Sequence, residues 1–164
     1  MTPEFSRPLP IERIGPAGLD ISVEANAGEL VALAKRLRLP AVGALSCHFR
    51  LRPAPGGAIA AEGWLAATVT QTCVVSLEDF DAPVADHFTL RFVPEGTEAE
   101  EVDPDSEDEI PFADRVIDLG EAATEQLALD LDPWPRKPGA VLPAGEEDSS
   151  APPFAALTRL RRPS

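Results

Sequence analysis

The side chains able to do chemistry are few. There are two cysteines, two histidines and no tyrosine in 164 residues. Cys47 falls on the apolar face of its strand with Leu45, Phe49 and Leu51, between polar neighbours, and reads as core. Cys73 stands beside Val74 and Val75, with no Lys, Arg or His close in sequence to depress its pKa, and reads as a buried, inert thiol. His48 and His87 fall on polar faces of two strands, where solvated surface is the expected role. Arg50 and Arg52 share the side of His48, and Arg91 stands to join them from another strand. Such a group is either a small RNA-phosphate patch or solvated charge balanced by nearby acids, and the second is the expectation. It lacks the aromatic interleaving that readers of single-stranded RNA use for stacking. Trp64 lies on the side of Glu62 and Thr68, opposite Leu65. It is either a partner anchor or covered by the helix that starts at Asp118, and cover is the expectation.

No Gly-rich phosphate loop, dinucleotide fingerprint or HExxH motif is present. The abundant acids cluster away from apolar residues that would hold them at a set distance, so paired-carboxylate catalysis is not expected. No catalytic residue, metal or cofactor is assigned.

Charge singles out one segment. The chain carries a net -14 from 28 acids and 14 bases. Residues 1–94 hold ten acids and eight bases, residues 95–132 fifteen acids and one base, and residues 133–164 three acids and five bases. Between Glu95 and Glu109 there are nine acids and no base, among them Glu100, Glu101, Asp105, Glu107 and Asp108. Such a stretch buries too little apolar surface to offset the entropy of ordering, and it reads as a mobile acidic insert over 95–111. It is either a solubilising loop or a decoy for nucleic-acid charge that holds a basic protein.

These residues need elements to position them. Arg7-Pro8-Leu9-Pro10 suits an edge strand or extended arm. Asn26 with Glu29 makes a capping box for a helix with Leu30, Leu33, Ala34 and Leu37 on one face, stopped by Pro40. Period-two alternation over 42–52 and 58–70, around Pro53-Ala54-Pro55-Gly56-Gly57, predicts an antiparallel hairpin. Cys73 to Leu77 continues the second strand or starts another. Glu78 to Pro83 reads as a turn, and Val84 to Val93 as a third strand with Phe88, Leu90 and Phe92 inward. Asp118 caps a second helix, with Glu121 three residues on, ending near Asp130. The fold class is α+β: a meandering antiparallel sheet with two packed helices over residues 1–132, then a Pro-rich tail over 133–164. That tail ends in a short basic amphipathic stretch, Phe154 to Arg162.

Several of these stretches together resemble the YceD family of large ribosomal RNA subunit accumulation proteins. The likeness lies in Cys73-Val74-Val75-Ser76-Leu77-Glu78, the acidic insert, the helix carrying Asp118, Glu121 and Glu125, and Asp132-Pro133-Trp134-Pro135. The resemblance implies a role in 23S ribosomal RNA accumulation and large-subunit biogenesis without an established chemistry. Ser76 stands where the family's CxxC has its second cysteine, so a thiolate pair for zinc or redox cycling is absent. The expected partner is a basic ribosomal protein or assembly factor, with rRNA contact indirect or weak and the oligomeric state open. No run of about 18 apolar residues is present, and an acid and two prolines stand where a signal peptide begins, so no membrane is involved and the cytoplasm is the expected compartment. Two other classes stay as alternatives. One is a small RNA-processing or hydrolytic enzyme on the polar sheet face, the other a Cys73-based metal or redox module.

Overall fold

The computed structural model describes residues 4–96 and 108–139. Its main sheet has five strands in the order β2-β3-β4-β5-β6: β2 Leu19–Glu24, β3 Ala41–Pro53, β4 Ile59–Thr72, β5 Asp79–Pro94 and β6 Asp108–Phe112. The first three pairings are antiparallel, and β6 runs parallel to the end of β5. A two-stranded ribbon pairs β1, Pro8–Pro10, with β7, Val116–Asp118. Helix α1, Ala27–Leu37, joins β2 to β3, and α2, Leu119–Asp130, follows β7 directly. The α+β reading therefore holds, with one parallel pair added to the meander.

Alternation builds one apolar sheet face. Leu45, Cys47, Phe49 and Leu51 of β3, Leu65 and Val69 of β4, and Leu90 and Phe92 of β5 are all buried on it. Leu33 of α1, Leu119, Ala123 and Leu127 of α2, and Phe5, Leu9 and Ile117 of the arm and ribbon close the core above them. Gly63 leaves the space that the Phe88 ring fills, with Phe49 edge-on at 6.1 Å. The capping box of Asn26 and Glu29 forms as expected, and Arg38 in the left-handed region ends α1 before Pro40.

Two local readings change. The turn after β4 is Cys73–Glu78, closed by the Cys73 N–H to the Glu78 carbonyl at 2.8 Å, and Asp79 to Pro83 are strand. Cross-strand bonds from Thr70 to Asp81 and Thr72 to Asp79 hold those polar residues in register. Pro83 is tolerated because β6 pairs with β5 only from Leu90 to Pro94, so the strand is an edge at Pro83. The acidic segment ends in strand: Asp108 pairs with Leu90, and Ile110 and Phe112 turn toward the core. Ile110 and Phe112, at period two, carry the segment into the sheet despite the acids that precede them. The N-terminal arm pairs with β7 and leaves the edge of the main sheet alone. Glu100, Glu101, Asp105 and Glu107 lie outside the described residues, as do the basic stretch from Phe154 to Arg162 and most of the Pro-rich tail.

Candidate functional site

The outer sheet face gathers the polar residues in rows across the strands. One row runs Ser22, His48, Trp64, His87; the next Asp20, Arg50, Glu62, Thr89; a third Arg52, Ala60, Arg91. Trp64 is not covered by α2, which packs on the opposite, apolar face. Instead His87 stacks on it at 5.0 Å and 11°, His48 tilts against it at 5.7 Å, and the Arg50 guanidinium lies 5.5 Å from its ring. Aromatic interleaving, expected to be absent, is therefore present. The register that creates it couples residues 16 and 23 positions apart (48 to 64, 64 to 87), beyond the reach of local pattern. His87 already stacks on the Trp64 ring, so a base would have to displace it to stack on that face.

Charge on this face is balanced. Arg50 reaches Asp20 at 3.5 Å and Glu62 at 3.8 Å, and His87 Nε2 stands 3.0 Å from Glu62. Arg91 sits in register with Glu109 of β6. Arg36 of α1 forms ion pairs with Glu4 and Glu121 and does not extend the patch. Exposed pairs of this kind contribute little to stability, but they leave few unmatched cations for phosphate.

The turn after β4 carries Cys73. Residues 131–139 return across it as a strap, held by the Val74 N–H on the Pro135 carbonyl at 2.9 Å, by Gln71 on the Asp132 carbonyl at 3.2 Å, and by Lys137 on Glu78 at 2.8 Å. Cys73 is shut from water under this thin cover. Its burial pushes the thiol up, and is outweighed by hydrogen bonds from the Ser76 hydroxyl and the N–H groups of Ser76, Lys137 and Val75, which bring it down to about 6. The thiol is buried as expected but not ordinary. Sequence reasoning looked for charged neighbours and missed these donors: three are neutral groups that the turn aims back at the sulfur, and the fourth comes from Lys137 on the strap. Cys47, in the core, is pushed up to about 12 by burial. Among the described residues no three His, Cys, Asp or Glu side chains gather as a metal site.

A cavity of about 480 Å3 opens between β5, the end of α2 and the strap. Asp86 and Asp130 meet at its wall, bridged by Gln126 Nε2 at 2.8 and 3.3 Å, while Asp130 Oδ2 is buried with no donor. Burial, then the neighbouring Asp86, raises the Asp130 carboxyl to about 6. The folded state thus holds a proton that the unfolded chain releases near pH 4, and stability falls as pH rises through that window. Asp130→Asn is expected to be more stable than the native chain by about 1–2 kcal/mol at pH 8. Below about pH 4 the difference should vanish. Urea unfolding at both pH values checks this, and an equal gain at each would refute it.

Residues 61–161 match the family model described as "Large ribosomal RNA subunit accumulation protein YceD". The chain belongs to the YceD family. No curated protein and no solved structure matches it. The positions that carry the YceD resemblance have distinct structural roles here. Ser76 donates its N–H to Cys73 Sγ at 3.4 Å. Asp118 caps α2 by accepting from the Glu121 N–H at 3.1 Å, and also accepts from the Arg7 N–H at 2.8 Å and the Ser6 hydroxyl at 2.5 Å. The Glu121 side chain does not return to its own cap; it meets Arg36 at 2.8 Å. Glu125 is exposed, its carboxyl raised by partial desolvation and then by the Glu121 charge. The YceD description names accumulation of ribosomal RNA and no reaction. No helix among the described residues is long and apolar enough to cross a membrane.

Proposed function

We propose that the chain is a non-enzymatic, cytoplasmic ribosome-biogenesis factor that supports 23S rRNA accumulation and large-subunit assembly by binding a basic ribosomal protein or assembly factor. One observation carries the preference for a protein partner: Arg50, at the centre of the only arginine-rich sheet face among the described residues, already lies between Asp20 and Glu62. Affinity for a phosphate backbone grows with the number of cations free to replace counterions. A face whose central guanidinium is matched by its own acids offers few. The acids in excess are instead concentrated in residues 95–132, and they favour a cationic partner.

A tagged pull-down at low and high salt, with and without nuclease, tests the reading. Large-subunit proteins or assembly factors are expected to be captured at low salt, to survive nuclease, and to be lost at high salt. Capture that disappears with nuclease would instead make RNA the direct ligand.

A further inference from the structure

The cavity at the end of α2 has the shape and charge of a peptide groove. One wall is the edge of β5 from Phe80 to Asp86, which no described strand pairs on its outer side. The other is the strap, fixed to β4 through Asp132 and to the β4–β5 turn through Pro135 and Lys137. A groove between a strap and an open strand edge suits an extended chain, which can add to that edge, more than a compact ligand. Phe80, Val84, Pro135 and Pro138 supply apolar surface along it. Its charged residues are Asp81, Asp86, Asp130 and Asp132 against Arg136 alone. A phosphate-bearing ligand is repelled from such a wall.

One atom points to what is missing. Asp130 Oδ2 is buried without a hydrogen-bond donor, beside a second carboxylate that shares its single amide donor, Gln126. Buried carboxylate oxygens are ordinarily satisfied. A guanidinium carries five N–H groups in a planar fork and matches two adjacent carboxylates better than an ammonium does. We propose that this cleft binds an extended, arginine-bearing segment of a basic protein partner, with one guanidinium seated on Asp86 and Asp130. This rests on the reading of the chain as a binder of basic proteins and gives that binding a place. The apolar walls take the side chains that flank the arginine. Pro83, which has no N–H to offer, limits main-chain pairing on the β5 edge to either side of it.

The test is fluorescence anisotropy with the full chain at low salt. The probe is a fluorescein-labelled peptide of alternating arginine and valine, and the control is the same peptide with citrulline for arginine. Asp86→Asn with Asp130→Asn is isosteric, removes two of the 28 acids, and leaves the core untouched. It is expected to weaken the arginine peptide about tenfold or more, and citrulline should do the same to the native chain. Arg50→Ser with Arg52→Ser should change nothing. Unchanged affinity of the Asp86/Asp130 variant would overturn the proposal, because general negative charge would then be holding the peptide. Binding about tenfold tighter after Arg159→Ser, Arg161→Ser and Arg162→Ser would also overturn it, since the chain's own basic segment would then be the occupant. The same cleft variant in the pull-down separates the two levels. Nuclease-resistant capture that survives the substitutions leaves the protein-binding reading standing and moves its site elsewhere. Capture that requires RNA defeats that reading whatever the peptide does.

Discussion

Replacing Asp118 with alanine is expected to lower the unfolding free energy by about 3 kcal/mol. The carboxylate serves two structures at once. One oxygen caps α2 through the Glu121 N–H and also accepts the Arg7 N–H, while the other accepts the Ser6 hydroxyl. Loss of the cap alone costs about 1 kcal/mol. Each charge-assisted bond adds about as much again, and the Arg7 N–H is left partly buried without an acceptor. Asp118→Asn keeps a capping oxygen and should cost about 1 kcal/mol. Denaturant unfolding of the two variants separates the roles. Equal, small losses would mean that the arm is not anchored here.

Gly120→Ala should act on the same junction from the other side. A Cβ at Gly120 would stand 2.6 Å from the Phe5 carbonyl oxygen and 2.9 Å from the Ser6 nitrogen, both backbone atoms that cannot rotate away. The arm must lift, and Phe5, which is fully buried, leaves its pocket. Full loss of a buried phenylalanine contact costs about 3–5 kcal/mol. The better helix propensity of alanine returns about 1 kcal/mol. A net loss of about 2–4 kcal/mol follows. The sign decides the matter, since an open site would make the substitution stabilising. In a double-mutant cycle, Phe5→Ala should cost little once Gly120→Ala is present, because both remove one contact.

The parts of the fold readable from sequence are those whose cause is local. The hairpin of β3 and β4 follows from unbroken alternation around a Pro-Gly turn, and α1 from a capping box and an apolar stripe within eleven residues. The misplaced turn at 78–83 shows the limit of that logic. Asp79 and Asp81 look like turn residues until Thr72 and Thr70 are placed opposite them. Strand β6 was hidden by the density of acids around Ile110 and Phe112. The outer sheet face was legible residue by residue, and His48, Arg50, Arg52 and Arg91 do point the same way. What could not be read was the balance of charge, because Asp20 and Glu62 come from neighbouring strands, nor the contact of Trp64 with two histidines. The strap was the largest omission. From Pro133 on its prolines read as a tail, yet Asp132 ties it to β4, and Pro135 and Lys137 to the turn that holds Cys73, and it forms one wall of the acidic cleft. A low-complexity composition predicts a lack of regular structure, not a lack of docking.

The most direct measurement is the ratio of 23S to 16S rRNA in cells whose own copy has been replaced by variants of the chain. Asp86→Asn with Asp130→Asn should lower the ratio toward that of cells lacking the protein. Arg50→Ser, Arg52→Ser and His48→Ser together should leave it at the native value. The opposite outcome, with the sheet-face variant failing and the cleft variant complementing, would contradict a protein-binding cleft and put the function on the sheet face.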